Sequence, residues 1–183
     1  MKKVLIIALL AVVSFPAFAR KFMSRTARIT FFSATNLQNI EAKNNEAACL
    51  LDADSGMVEF IIPIRSFKLE KALMEEHFNE NYMESDKFPK AIFKGKVNGM
   101  SSVDFSKNGA YPVSATGKMT IHGVTKDVTI GGTIMIRDRE PLISSKFNVE
   151  CSDYGIKIPS VVAEKIAKTI EVTVTAPLKP LNR

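Results

Sequence analysis

Regular alternation of apolar and polar residues recurs six times between residues 56 and 176, and it constrains the fold more than any other feature of this chain. In the first run Val58, Phe60, Ile62 and Ile64 share one face, and Glu59 lies on the other. Period-two alternation with one apolar face is typical of antiparallel sheets that are solvated on one side. The runs cover residues 56–67, 91–98, 113–122, 128–136, 143–151 and 170–176.

Two further strands are predicted at residues 27–35 and 39–51, which brings the number to about eight. Turn-forming pairs such as Asn98-Gly99 and His122-Gly123 separate the strands. Short, regularly spaced strands without long helices between them indicate an all-β barrel or sandwich. We therefore predict one antiparallel all-β domain over residues 20–183.

Two segments break the alternation and are predicted to be helical. In residues 69–83, apolar side chains recur at i, i+4 spacing and include Phe78 and Tyr82. Ser66 is its predicted N-cap. Residues 159–168 predict a second helix of about two turns. Because each helix lies between strands, we expect the first one to act as a lid over one end of the sheet.

The first nineteen residues predict a secretory signal peptide. Lys2 and Lys3 precede an apolar run over residues 4–13, and small residues end at Ala19. This run is shorter than the ~20 residues of a transmembrane helix. Arg20 rather than Cys follows the predicted cleavage site, so no lipid anchor is expected. We expect the mature protein to be periplasmic or secreted, with at most transient membrane contact.

The composition excludes several classes of function. A net charge of +6 is too small an excess for a nucleic-acid-binding chain. We find no Gly-x-Ser-x-Gly elbow, phosphate-binding loop or Cys-x-x-Cys pair. We therefore predict no catalytic residues, no metal and no cofactor. The alternative is an exported enzyme that uses His77 or His122, although a solvated, capped helix face for His77 and a structural role at a strand–turn junction for His122 are the better explanations.

The two cysteines and a group of lysines leave alternatives open. In an oxidising compartment Cys49 and Cys151 can form a disulfide, but both lie in predicted strands, where a free thiol is often a small buried group. Lysines cluster between residues 87 and 107. This cluster is either a solvated outer sheet face or a surface with weak attraction to anionic lipid.

Three stretches carry a resemblance to a known family: MTIHGVTK at residues 119–126, LMEEHFNENYMES and KFPKAIF within residues 73–93, and DYGI with IP within residues 153–159. They resemble the YceI-like polyisoprenoid-binding family. The resemblance implies an exported, eight-stranded, lipocalin-like barrel that holds an amphipathic isoprenoid or fatty chain. It also implies inward-facing side chains at four positions, which are Phe31, Phe93, Met119 and Ile121.

An eight-stranded barrel either fills itself with side chains or holds one small ligand. Small residues on the predicted inner face, such as Gly95, Ala115, Gly117 and Gly132, leave space for a ligand, or else mark sharp bends of the barrel. We favour the ligand. The alternation and the resemblance together predict as ligand-binding residues Phe31, Phe60, Ile62, Phe78, Tyr82, Phe93, Met119, Ile121, Ile130, Ile134, Phe147, Val149, Val172 and Val174.

The predicted function is therefore that of an exported lipid-binding protein, which sequesters or carries an isoprenoid or fatty chain in its apolar interior. A structural or stress-associated barrel with a self-filled core is the alternative that involves no ligand. Exposed sheet faces make a homodimer possible.

Overall fold

Nine β-strands account for most of residues 20–181, the part of the chain that the computed structural model describes. The predicted signal peptide, residues 1–19, lies outside this part. The strands are β1 Lys21–Ala34, β2 Asn39–Asp52, β3 Met57–Pro63, β4 Lys90–Asn98, β5 Gly109–Ile121, β6 Val124–Arg137, β7 Glu140–Glu150, β8 Thr169–Pro177 and β9 Lys179–Pro180.

Strands β1 to β8 close into one antiparallel barrel. Each strand pairs with the next along the chain, and β1 pairs with both β2 and β8. The short β9 extends the sheet beside the start of β1, where Phe22 is opposite Pro180. The prediction of an eight-stranded antiparallel barrel is confirmed.

The alternation of the sequence determines which side chains face the interior. Phe60 and Phe93 are opposite each other on β3 and β4, and both are buried. Their neighbours Glu59 and Lys94 form the next cross-strand pair on the outer face, where the Lys94 Nζ lies 3.0 Å from a Glu59 carboxylate oxygen. Part of the predicted lysine cluster is thus paired on an outer sheet face.

Two hairpins turn through left-handed residues. The β5–β6 turn has His122 at φ 49° and Gly123 at φ 75°, and the β6–β7 turn has Asp138 at φ 52° and Arg139 at φ 66°. Two consecutive positive φ values are typical of type I′ turns, whose twist matches that of the flanking strands. The sequence predicted the first of these turns from its glycine and missed the second, which has none.

One end of the barrel is closed by packed side chains. The rings of Phe22 and Phe105 stack with centroids 5.3 Å apart. Leu51, Ile136 and Leu178 around them are at most 1% exposed. Burial of this kind stabilises a protein by about 1.5–3 kcal/mol for each large apolar side chain.

The predicted lid helix is shorter than expected. It consists of α1, Ala72–His77, and a π-helical turn, Phe78–Tyr82, rather than residues 69–83. Ser66 is not its N-cap, because Ser66 ends a separate 3-10 turn and Lys71 occupies the N-cap position. Lys68 pairs with Lys43 on β2 through two backbone hydrogen bonds of 2.8 and 3.0 Å, and the backbone is still extended at Lys71, with φ −125° and ψ 138°. The helix therefore begins only at Ala72.

The second predicted helix, residues 159–168, is also largely absent. Only Ser160–Val162 forms a 3-10 turn, and looser turns follow it. The end of the segment is held by the barrel, since the Ala167 amide donates to the Ser33 hydroxyl and the Lys168 carbonyl accepts from the Cys151 amide, both at 2.9 Å. No helix within residues 20–181 combines the length and the apolar character needed to cross a membrane.

Candidate binding cavity

The barrel encloses a cavity of about 410 Å³ whose wall is almost entirely apolar. All fourteen side chains that the sequence predicts as ligand-binding line this cavity. Twelve of them come from strands, while Phe78 and Tyr82 come from the lid. The interior is therefore not self-filled, and contact of these residues with a ligand stays a prediction.

The lid is attached to the barrel by three aromatic rings. Phe78 of the π-helical turn approaches Phe31 of β1 with ring centroids 5.2 Å apart. Phe67, which lies just before the lid, is 5.4 Å from Phe31 and 5.6 Å from Phe78. Aromatic pairs at these distances contribute about 0.5–1.5 kcal/mol beyond the area they bury. This cluster covers the cavity at the end opposite Phe22 and Phe105.

The wall between β6 and β7 is incomplete. Their ladder has six residue pairs, from Arg137↔Glu140 to Gly132↔Ser145, and the described residues show no pair between these strands nearer the lid. Two contacts join the two sides again beside the lid. The Lys126 ammonium lies 2.7 Å from the Asp153 carboxylate, and the His122 Nδ1 donates to the Tyr154 carbonyl at 3.2 Å. A window therefore separates residues 127–131 from residues 146–150.

The small residues of the inner face have two different roles. Ala115 and Gly132 line the cavity and leave space in it. Gly95 and Gly117 do not line it. They are opposite each other on β4 and β5, and a Cβ on Gly117 would lie 2.3 Å from the Lys94 carbonyl oxygen. The prediction that small residues leave space for a ligand is therefore wrong at these two positions, because the strands approach each other too closely there for any side chain.

Several lining residues were missing from the predicted set. Ile29 and Val58 lie two positions before Phe31 and Phe60, so the period of two would have identified them. Others come from segments outside the strands, where the alternation does not apply, although helical spacing already grouped some of them. These are Phe67, Leu69, Met74, Met83, Ile156, Ile158, Val162 and Ile166.

His122 has a structural position. Its Nε2 lies 2.7 Å from a Glu84 carboxylate oxygen, and its ring packs edge-on against Phe88 with centroids 4.7 Å apart. It does not line the cavity. With the Tyr154 contact at Nδ1, the ring joins the β5–β6 hairpin to the chain that leaves the lid and to the segment after β7.

The remaining chemistry-bearing groups are dispersed. Cys49 and Cys151 are free, buried thiols, and burial raises the pKa of Cys49 to about 12. Burial also raises the pKa of the Tyr82 hydroxyl in the lid. Within residues 20–181, no three His, Cys, Asp or Glu side chains are grouped as metal ligands would be. His77 lies at the exposed mouth of the cavity.

Comparison with known proteins agrees with this architecture. A family model described as a YceI-like domain matches residues 12–178. The structure is similar to a polyisoprenoid binding domain from Saccharophagus degradans, with a TM-score of 0.78 and 10% identity over 88% of this chain and 99% of that chain. No curated protein matches the chain.

Two further solved structures have the same fold. BcnA from Burkholderia cenocepacia gives a TM-score of 0.68 at 15% identity, over 84% of this chain and 96% of that chain. The YCEI protein of Campylobacter jejuni gives 0.60 at 15% identity, over 82% and 90%. At such low identities these likenesses show the barrel fold.

Proposed function

Because the family match spans residues 12–178, this chain belongs to the YceI-like domain family, and we propose that it is an exported protein that binds one isoprenoid or fatty chain inside its barrel. The observation that carries the proposal is the apolar cavity of about 410 Å³, closed at one end and covered by an aromatic lid at the other. Ligand pockets are typically about 300–1,000 Å³. A single flexible hydrocarbon chain suits this shape.

The physical basis of binding would be burial of hydrocarbon. Each buried methylene contributes about 0.8 kcal/mol, and association costs about 4–15 kcal/mol. A chain of about ten carbons thus gains roughly 8 kcal/mol, which offsets only the lower part of that range. We therefore expect longer chains to bind and short ones to bind weakly.

We infer the class of ligand from a structurally similar protein and from the residues that form the cavity wall. The Saccharophagus degradans protein is described as a polyisoprenoid binding domain and shares the fold. Fatty chains present the same kind of surface to a wall of Ile, Val, Phe and Met side chains. Because this wall offers few polar groups, we propose sequestration or carriage of the chain rather than its chemical conversion. The signal peptide predicted at residues 1–19 supports action outside the cytoplasm.

Organic extraction of the purified, untagged protein followed by mass spectrometry tests the proposal. We expect a chain-like lipid in about equimolar amount, and a higher melting temperature after prenyl or fatty compounds are added to delipidated protein. If repeated preparations contain no such molecule and added compounds leave the melting temperature unchanged, the proposal is wrong.

A pair of variants locates the binding site. Ala115→Phe places a ring in the cavity, because Ala115 lines it. Ala110→Phe makes the same substitution on the same strand, β5, at an exposed position that does not line the cavity. We expect the first variant to lose the extracted lipid and the second to retain it. Equal retention by both folded variants would place the lipid outside the barrel.

A further inference from the structure

The described residues that line the cavity include a positively charged side chain and no negatively charged one. Lys165 lines the cavity, and no Asp or Glu among the described residues does. Lys165 also makes no ion pair with any described residue. An apolar cavity whose one permanently charged lining group is an unpaired cation favours an anion at its mouth, since low-dielectric walls strengthen the attraction.

The backbone holds Lys165 at the rim. Its amide donates to the Val162 carbonyl at 2.9 Å, which fixes the turn that contains it. Two residues later, the Ala167 amide donates to the hydroxyl of Ser33, which is 2% exposed. The lysine therefore emerges from a turn that is anchored to β1, with an exposed side chain that can reach a group at the mouth.

Besides Lys165, two of the polar side chains that line the cavity are exposed, and they lie on other elements. His77 ends α1, and Gln38 lies in the turn between β1 and β2. Both are exposed and both can donate hydrogen bonds to an anionic oxygen. The neighbouring acid Glu164 lines a separate surface depression with Leu37 and does not line the cavity. The acidic Glu76 and Glu80 of the lid also lie outside the cavity lining.

We propose that the chain ligand carries an anionic oxygen head group, a carboxylate or a phosphate monoester, which binds at the mouth with Lys165 as its charge partner and with Gln38 and His77 as hydrogen-bond donors. This inference rests on the proposed function. It adds the chemical class of the head group, which the apolar wall alone leaves open. A neutral alcohol of the same chain length lacks the charge that Lys165 would pair.

Three probes of equal chain length test the head group: dodecanoate, dodecyl phosphate and dodecanol, each titrated into delipidated protein at low ionic strength. We expect at least one of the two anions to bind about five- to tenfold more tightly than dodecanol, because charge-assisted hydrogen bonds exceed neutral ones. The preference should shrink in high salt, which screens exposed charges. Comparison of the two anions distinguishes carboxylate from phosphate recognition.

Substitutions then assign the preference to one residue. Lys165→Gln should bring the anion down to the affinity of dodecanol and leave dodecanol binding unchanged, while Lys165→Arg should keep the preference. Lys168→Gln removes the same charge three residues away at a position that does not line the cavity, and it should behave as the original protein.

The outcomes separate the two proposals. If dodecanol binds as tightly as both anions, or if Lys165→Gln keeps the preference, the head-group inference is overturned and the proposed function stands. If none of the three probes, nor a longer prenyl alcohol, binds the delipidated protein, the proposed function itself fails.

Discussion

The Ser145 hydroxyl donates a 2.6 Å hydrogen bond to the carbonyl oxygen of Gly131, and it does so where the ladder between β6 and β7 ends. Gly132↔Ser145 is the last residue pair before the window. A side chain thus satisfies a carbonyl at the point where the backbone ladder stops. This hydrogen bond joins the two strands at the end of the window farther from the lid, where the backbone pairing has stopped.

Loss of this hydroxyl should weaken the edge of the window. We expect Ser145→Ala to lower the free energy of unfolding by about 0.5–1.5 kcal/mol, the net contribution of one hydrogen bond. Urea unfolding measures the change. Ser144→Ala is the matched control, because Ser144 faces outward and makes no side-chain hydrogen bond among the described residues. Equal losses in the two variants would contradict a specific role for the Ser145 bond.

Removal of the Phe78 ring should loosen the lid. Phe→Ala substitutions in a core cost about 3–5 kcal/mol, and because Phe78 is only half-buried we expect Phe78→Ala to cost about 1–3 kcal/mol. We also expect faster hydrogen exchange at the amides of residues 72–82, since the contacts with Phe31 and Phe67 are lost.

Leu73→Ala on the same helix serves as the control, because Leu73 is 59% exposed. It should change neither the stability nor the exchange by a comparable amount. If lid exchange is equally fast in both variants, the aromatic cluster is not what holds the lid.

The strands were predictable because one physical cause determines them. A sheet with one buried face requires the period of two, and this period appears in every strand from β3 to β8. The eleven predicted lining residues on β3 to β8 follow from the same cause, whereas Phe31 came from the family resemblance and Phe78 and Tyr82 from the helical spacing of the lid. The lid was predicted by type but not by its start, because the Lys43–Lys68 backbone pairing that delays it joins residues far apart in the chain.

The irregular parts of the site depend on long-range contacts that no local pattern encodes. The His122–Glu84 contact joins residues 38 positions apart, and both have positive φ values. Residues 159–168 contain apolar side chains at helical spacing, yet Ser33 and Cys151 hold the end of the segment in another conformation. Tertiary hydrogen bonds overrode the local propensity at that position.

The β5–β6 turn should tolerate no side chain at Gly123. This residue has φ 75°, and an added Cβ would lie 2.4 Å from the Phe88 ring. We expect Gly123→Ala to cost about 1–3 kcal/mol from backbone strain and about 1–3 kcal/mol more from the overlap. A double-mutant cycle separates these two contributions.

In the Phe88→Ala background the ring is absent, so Gly123→Ala should lower the free energy of unfolding only by the contribution from backbone strain. The free energies of unfolding of the four proteins give the coupling. A coupling close to zero would show that the ring moves away without cost.

The buried thiol of Cys49 should make the protein less stable in alkali. Burial raises the pKa of Cys49 in the folded protein from 9.0 to about 12, while the unfolded chain keeps the lower value. Stability from the protonated thiol is therefore complete below pH 9 and is lost as the pH rises toward 12. The loss is about 1.4 kcal/mol for each pH unit within this window. The free energy of unfolding, measured in urea at about pH 8 and at about pH 10.5, gives this loss.

Tyr82 and Tyr154 also have raised pKa values and contribute in the same direction, so the comparison with Cys49→Ala isolates the thiol. The free energy of unfolding of the variant should fall less steeply with pH than that of the original protein. Equal slopes in the two proteins would mean that the Cys49 thiol ionises as easily in the folded protein as in the unfolded chain.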